Sequence, residues 1–217
     1  MLQNPTQFWS EKRIQATGVV LAGCLMALLP GTARAVSMDE KVTGDIRLIL
    51  GFAPSPKTID DVEYKSRSSI SIMPAYFMNC PVTRVMGLTF GLGIPYRFGS
   101  SKSKDEIVDM DFYGAQLSAG LFFRLGKNVT LEPLFGVGLG VARIVYSSQQ
   151  DKNINQDGSY TDYSGQLNLI YSEGAGGRLG VFFGFDSLRV KPHDKNGDSY
   201  EAKGSGPMGG LLGAVTF

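Results

Sequence analysis

The sequence predicts an all-β protein, specifically an eight-stranded antiparallel up-and-down transmembrane β-barrel. Three observations carry this. Apolar and polar residues alternate with period two through most of the chain after residue 35. Tight turns and long polar connections follow one another between the alternating segments. No segment after residue 35 is long and apolar enough for a spanning helix, so a chain that crosses a bilayer must cross it with strands.

Residues 1–35 read as a secretory signal that is cleaved, leaving 36–217 as one barrel domain. Lys12 and Arg13 make a charged start, and residues 14–29 are mostly apolar. Pro30 and Gly31 break that helix, and Ala33 and Ala35 place small side chains where signal peptidase needs them, before Val36. Leu21-Ala22-Gly23-Cys24 also matches a lipobox, which would leave a lipidated Cys24. The apolar run continues past Cys24 to Leu29 and favours ordinary cleavage. The mature chain carries net charge −1, which gives no reason to expect nucleic acid. Cys80 is its one cysteine, so no internal disulfide forms, and it reads as a small, semi-buried residue in a turn.

The strands follow in order. In 42–53, Val42, Ile46, Leu48, Leu50 and Phe52 share one face, and Thr43, Asp45 and Arg47 the other. An apolar row backed by charge suits a strand with lipid outside and a polar lumen inside. The same pattern recurs in 64–78, 84–98, 111–125 and 129–146. A sixth strand lies within 160–185. Its parity never breaks from 163 to 185, although about 9–11 residues suffice to cross a bilayer at a tilt. Two readings compete: one long strand projecting beyond the membrane as a ribbon with its neighbour, or a hairpin at 172–177. The projecting strand is favoured, with a tight turn at Asp186-Ser187 and with Arg143 opposite Glu173. A seventh strand then begins with Leu188 and Val190 outward, and an eighth ends at Phe217. Gly126-Lys127-Asn128 is a second tight turn, and 55–63, 99–108, 147–159 and 193–199 are the long connections. Pro74, Pro95, Pro133, Pro192 and Pro207 fall inside strands, where a closed barrel offers no edge; Pro207 is the hardest to place.

The inward positions gather charge: Asp45, Arg47, Arg67, Arg97, Arg124, Glu132, Arg178, Arg189 and Lys191. They make either a charged passage or an ion-pair network that fills the barrel. A barrel of eight strands is just wide enough for side chains to fill, which favours the plug. Inward glycines at 87, 91, 93, 114, 120, 136, 138 and 140 remove volume from one wall and keep a narrow cavity open as an alternative.

With its signal segment, its rhythm of strands and loops, and Phe217 and Val215 ending the last alternating strand, the chain resembles the eight-stranded outer-membrane barrels of the OmpA, OmpX, opacity-protein and OmpW kind. The stretch 174–190 is similar to a strand, turn and strand near the end of opacity-type barrels. The resemblance implies a monomer in the outer membrane of a Gram-negative bacterium. Phe217 and Val215 would be read by the barrel-assembly machinery. Outer-membrane lipid and lipopolysaccharide would surround it, and a host or surface ligand would meet its loops. A non-enzymatic surface protein without cofactor is the leading expectation, followed by an OmpW-like small-ligand conduit and then a lipid A modifying enzyme. The last would need His193, the one histidine, with Asp194 or Ser199 near it. Asp194, Asn196 and Asp198, and the run from Asp151 to Asp157, place oxygen ligands at alternate positions. Neither has a glutamate at the twelfth position, so no metal is expected.

Overall fold

The structure, a computed structural model, describes residues 41–59, 62–63, 65–66, 68–102, 106–148, 154–173, 176–193 and 201–217. The signal segment with Ala33, Ala35 and Cys24, and also Arg67, lie outside these residues, as do most of the loop oxygens considered for calcium. Among the described residues all regular structure is strand: β1 (Thr43–Pro54), β2 (Thr58–Ile59), β3 (Val62–Glu63), β4 (Lys65–Ser66), β5 (Ser68–Pro81), β6 (Met86–Gly93), β7 (Tyr96–Lys102), β8 (Glu106–Arg124), β9 (Val129–Ser148), β10 (Ile154–Glu173), β11 (Gly177–His193) and β12 (Ala202–Thr216).

The sheet closes on itself. β1 pairs antiparallel with β5 on one side and with β12 on the other. Between them β5 pairs with β6 and β7, both pair with β8, and β8 to β12 pair in sequence order. β6 and β7 form one stave. Ala75 pairs with Gly93 and Ile72 with Tyr96, so the register runs unbroken through Pro95. The barrel therefore has eight staves, as the alternation predicts. β2, β3 and β4 are short pairs within the first long connection.

The division of residues 160–193 differs from expectation. β10 ends at Glu173 and β11 starts at Gly177, and the two residues pair antiparallel. Gly176 has φ of +84°, a left-handed conformation that glycine adopts without steric cost. Asp186-Ser187 is no turn: both lie inside β11, with Asp186 opposite Ser164 and Ser187 opposite Tyr163. The expected 172–177 alternative would have added strands, yet the count stays at eight because the turn at 186 is absent. Arg143 pairs in register with Asp111 and Asp157 instead of Glu173. The expected loops at 99–108 and 147–159 are largely strand, since β8 starts at Glu106, β9 reaches Ser148 and β10 starts at Ile154. Cys80 is half-buried but sits in β5, paired with Leu88.

The prolines are accommodated by lost ladder pairs. The β8–β9 register skips the positions opposite Pro133, resuming at Phe123 and Leu131. Pro207 pairs with Phe185 of β11, whereas the β1–β12 ladder stops at Phe52 and Gly209. Pro207 thus occupies a stretch of β12 with no β1 partner beside it, the edge-like setting that proline tolerates.

Burial separates two zones. In the lower zone, nearest the tight turns, the outer rows are apolar: Leu117, Phe135, Leu139, Leu179, Phe183 and Leu211 are each more than half exposed. In the upper zone the pattern inverts. Val108, Met110, Phe112, Ala142, Ile144, Tyr160, Leu188, Val190 and Ala202 form a buried cluster inside. Asp109, Arg143, Arg189, Lys191 and Lys203 face outward. The staves β8 to β11, of 19, 20, 20 and 17 residues, form most of this upper zone.

Candidate functional site: the lumen

The lumen is crossed by two buried ion-pair bars. The first starts on β1, where period two puts Asp45 and Arg47 on the same inner face. Arg47 Nη1 donates to Glu132 Oε2 on β9 at 2.5 Å, and Nη2 donates to Glu132 Oε1 at 3.0 Å and to Asp45 Oδ2 at 2.8 Å. β1 and β9 are diametrically placed in the ring. The guanidinium also lies 4.1 Å from the centroid of the Phe77 ring. Asp45 is saturated with donors: Thr216 Oγ1 at 2.6 Å, Asn79 Nδ2 at 2.9 Å and Arg178 Nη1 at 3.0 Å. Thr89 Oγ1 donates in turn to Asn79 Oδ1 at 2.9 Å. Gln166 donates to Asn168 at 3.2 Å, and Asn168 to Glu132 at 3.5 Å. Two arginines meet two carboxylates, so this network is neutral.

The second bar starts from Arg97 on β7. Its Nη1 donates to Asp186 Oδ2 on β11 at 2.6 Å, and its Nη2 to Asp162 Oδ2 on β10 at 2.7 Å. β7 and β11 are again on opposite sides of the ring. Here one arginine meets two carboxylates. Asp162 Oδ1 and Asp186 Oδ1 are buried without a hydrogen-bond partner. Gln116 and Ser164, joined at 3.4 Å, lie at neighbouring inward positions.

The inward glycines do not leave a channel. Large side chains lie over them: Phe77 over Gly91, Phe122 over Gly87, Phe182 over Gly51 and Gly210, and Tyr160 over the facing pair Gly114 and Gly140. The Asp162 carboxylate occupies the space beside Gly138 that a Cβ would need. The remaining inward positions carry Ile49, Ala53, Met73, Leu134, Met208 and Leu212, all buried. Asp45, Arg47, Glu132, Asn168, Asp162 and Asp186 are at most 1% exposed.

Of the expected inward charges, Asp45, Arg47, Arg97 and Glu132 are buried in the lumen, and Arg178 is half-buried at its lower end. Arg124 has inward parity but lies past Phe122 at the rim, exposed, donating to the Arg84 carbonyl at 3.1 Å. Arg189 and Lys191 face outward, and Leu188 and Val190 are buried inside. The false turn at Asp186 reset their parity; an unbroken β11 carries the phase of Phe183 and Phe185 through to Lys191. Asp162, Asp186 and Asn79 are lumen residues that the sequence reading left out of its network. Counting by twos from Asn168 reaches Asp162, and from Arg178 reaches Asp186. His193 ends β11 with its backbone opposite Asp157. Among the described residues, no three His, Cys, Asp or Glu side chains are placed to hold a metal ion.

The protein class these features define is a closed antiparallel barrel of eight staves with a filled lumen. No family model matches the sequence, and no curated protein matches it. Among solved structures the chain is similar to Ail, the attachment invasion locus protein of Yersinia pestis, at 19% identity and a TM-score of 0.42, covering 82% of this chain and 100% of that one. It is similar to a major outer membrane protein from Thermus thermophilus, at 12% identity and a TM-score of 0.44, with 82% and 100% covered. It is also similar to the outer membrane protein OprG from Pseudomonas aeruginosa, at 10% identity and a TM-score of 0.38, with 81% and 95% covered.

Proposed function

We propose that this chain is an integral, non-enzymatic outer-membrane barrel of a Gram-negative bacterium, exported by residues 1–35 and acting through its upper, outward surface rather than its lumen. The observation that carries this is the pairing of an apolar girdle with two ion-pair bars across the bore. An exposed apolar surface of this extent is costly in water and suits lipid. The apolar outer row of β8 runs from Tyr113 to Phe123, close to the roughly 9–11 residues a tilted strand needs to span a bilayer. The inverted upper zone, apolar inside and charged outside, suits a part that stands in water above the leaflet. Phe217 closes the seam, exchanging backbone hydrogen bonds with Gly44 at 3.0 and 3.2 Å, its ring centroid 6.2 Å from that of Tyr76. In this reading it is also the signal for assembly machinery.

The test is single-channel conductance of the protein isolated from outer membranes of expressing cells, with folding checked by a heat-shifted gel band. The expected result is a folded, silent barrel. Steady discrete openings from the folded form would overturn the plug and turn the search toward a conducted ligand.

A further inference from the structure

The outward rows that cross β10, β11 and β12 form a graded ladder. Phe185 lies between Gly165 and Pro207, Ser187 between Tyr163 and Ser205, and Arg189 between Thr161 and Lys203. Lys191 follows beside Ser159. Read upward, the wall passes from hydrocarbon-like through hydroxyl-bearing to cationic within four residues of one strand. Arg189, Lys191 and Lys203 are all exposed, Lys203 at 58% of its side chain. Exposed Lys57 adjoins them, its backbone N–H donating to the Lys203 carbonyl at 2.8 Å. Among the described residues two carboxylates sit beside these cations: Asp157, one outward position beyond Ser159 on β10, and Glu201, which Lys203 bonds at 2.8 Å and, with Arg189 and Lys191, holds below its ordinary range. The patch keeps a positive excess among the described residues. Two strands along from β11, on β9, Arg143 is flanked in register by Asp111 and Asp157, and Asp109 is exposed on β8.

Height decides what the patch meets. Arg189 is four residues above Phe185 on β11. At about 3.3 Å per residue and a tilt near 45°, it stands roughly 9 Å above the apolar edge. Headgroups occupy a band of about 5–8 Å beyond the hydrocarbon on each side, and flexible basic side chains reach back toward it. Cations at this height face lipid phosphates, whereas cations at a loop tip would face bulk water.

We propose that Arg189, Lys191 and Lys203 form a docking patch for net-anionic, phosphate-bearing lipid headgroups of the leaflet at the barrel's upper rim. This rests on the membrane-barrel reading above and names the partner of its outward surface. Each engaged cation contributes about five-fold to the preference for anionic over zwitterionic lipid.

The experiment places a tryptophan directly beneath the patch, as Phe185→Trp, in protein isolated folded from outer membranes, where removal of residues 1–35 has also removed Trp9. Quenching by brominated phosphatidic acid is compared with quenching by brominated phosphatidylcholine in mixed vesicles. The expected result is at least a five-fold preference for phosphatidic acid. It is abolished in Arg189→Gln/Lys191→Gln/Lys203→Gln and kept in Arg143→Gln on β9, outside the patch. Equal quenching by both lipids overturns the patch while leaving the membrane reading intact. Equal loss of preference in Arg143→Gln makes the effect one of general charge and also overturns it. Full loss of the preference when inorganic phosphate is added to the mixed vesicles points to a soluble-anion site and overturns the lipid assignment. No quenching by either lipid, with the heat-shifted band intact, overturns the membrane reading on which the patch depends.

Discussion

At the residue scale, the two crossing bars differ in charge balance, and that difference dictates how substitutions behave. In the first, Asp45, Glu132, Arg47 and Arg178 cancel and every carboxylate is surrounded by donors. Removing one member leaves a buried, unpaired charge, which costs about 3–5 kcal/mol. Glu132→Ala is expected to lower the stability of the refolded barrel by that amount in a urea titration. Adding Arg47→Met to it should recover a large part of the loss, since the orphaned guanidinium is gone. A double substitution no better than the single would show the pair to be uncoupled. The second bar holds Arg97 between Asp162 and Asp186, one carboxylate too many. Asp186→Asn removes the surplus and is expected to be neutral or mildly stabilising, whereas Arg97→Met strands two buried carboxylates and should cost more than Glu132→Ala. The reverse order in matched unfolding titrations would contradict this charge count. Five members of the bars, Asp45, Arg47, Glu132, Arg97 and Arg178, were legible from parity alone, because alternation fixes the face of any residue whose strand phase is read correctly. Asp162 and Asp186 were missed because their segment was bounded wrongly, although their residue types gave no cause for doubt.

At the element scale, the informative case is the β10–β11 hairpin. Residues 163–185 keep one parity through the turn, because the hairpin connection leaves apolar side chains on the same alternating positions before and after it. Periodicity is therefore blind to a turn that preserves phase. The remaining cue was local: Gly174, Gly176 and Gly177 cluster there, and Gly176 adopts the left-handed φ that a two-strand reversal requires. Asp186-Ser187 looked like a turn by composition alone, yet Asp186 is held in the lumen by Arg97. Tertiary pairing overrode local preference. Gly176→Val forces a β-branched residue into the left-handed region, where an L-residue pays about 1–2 kcal/mol. The expected outcome is that loss in equilibrium stability, with slower refolding. Asp186→Ala should leave the hairpin untouched, and trypsin cleavage at the turn reports the difference. The upper ends of β8 and β10, residues 106–108 and 154–159, were read as loop for a related physical reason. Their neighbourhood is polar and charged like a loop, while Val108 and Met110 on β8 and Tyr160 on β10 turn inward, so both faces must be read to see the strand.

At the scale of the whole molecule, the reversal of pattern along each stave defines which solvent lies outside. Below the reversal the outer surface is apolar and the inside carries paired charge; above it the inside is apolar and the outside charged. A water-soluble barrel would need charge outside along its full height, and a barrel wholly within lipid would need none. Both patterns on one continuous sheet require a solvent boundary across the barrel, between Tyr113 and Asp111 on β8 and between Phe185 and Arg189 on β11. The short connections that follow β5, β8 and β10 share the end below the girdle, together with the start of β1 at Thr43 and the end of β12 at Thr216. In an outer membrane that end is periplasmic and the inverted zone is external. Single cysteines in a Cys80→Ser background test this directly with a membrane-impermeant maleimide on living cells. Asp109→Cys is expected to label in intact cells, Lys127→Cys only after the outer membrane is permeabilised, and Leu117→Cys in neither case until the barrel is unfolded. Labelling of Lys127→Cys ahead of Asp109→Cys would invert the orientation, and ready labelling of Leu117→Cys in the folded state would show that water rather than lipid covers the girdle. The assignment of the upper wall as the interacting surface stands or falls with that order, because only the external end can meet a ligand outside the cell.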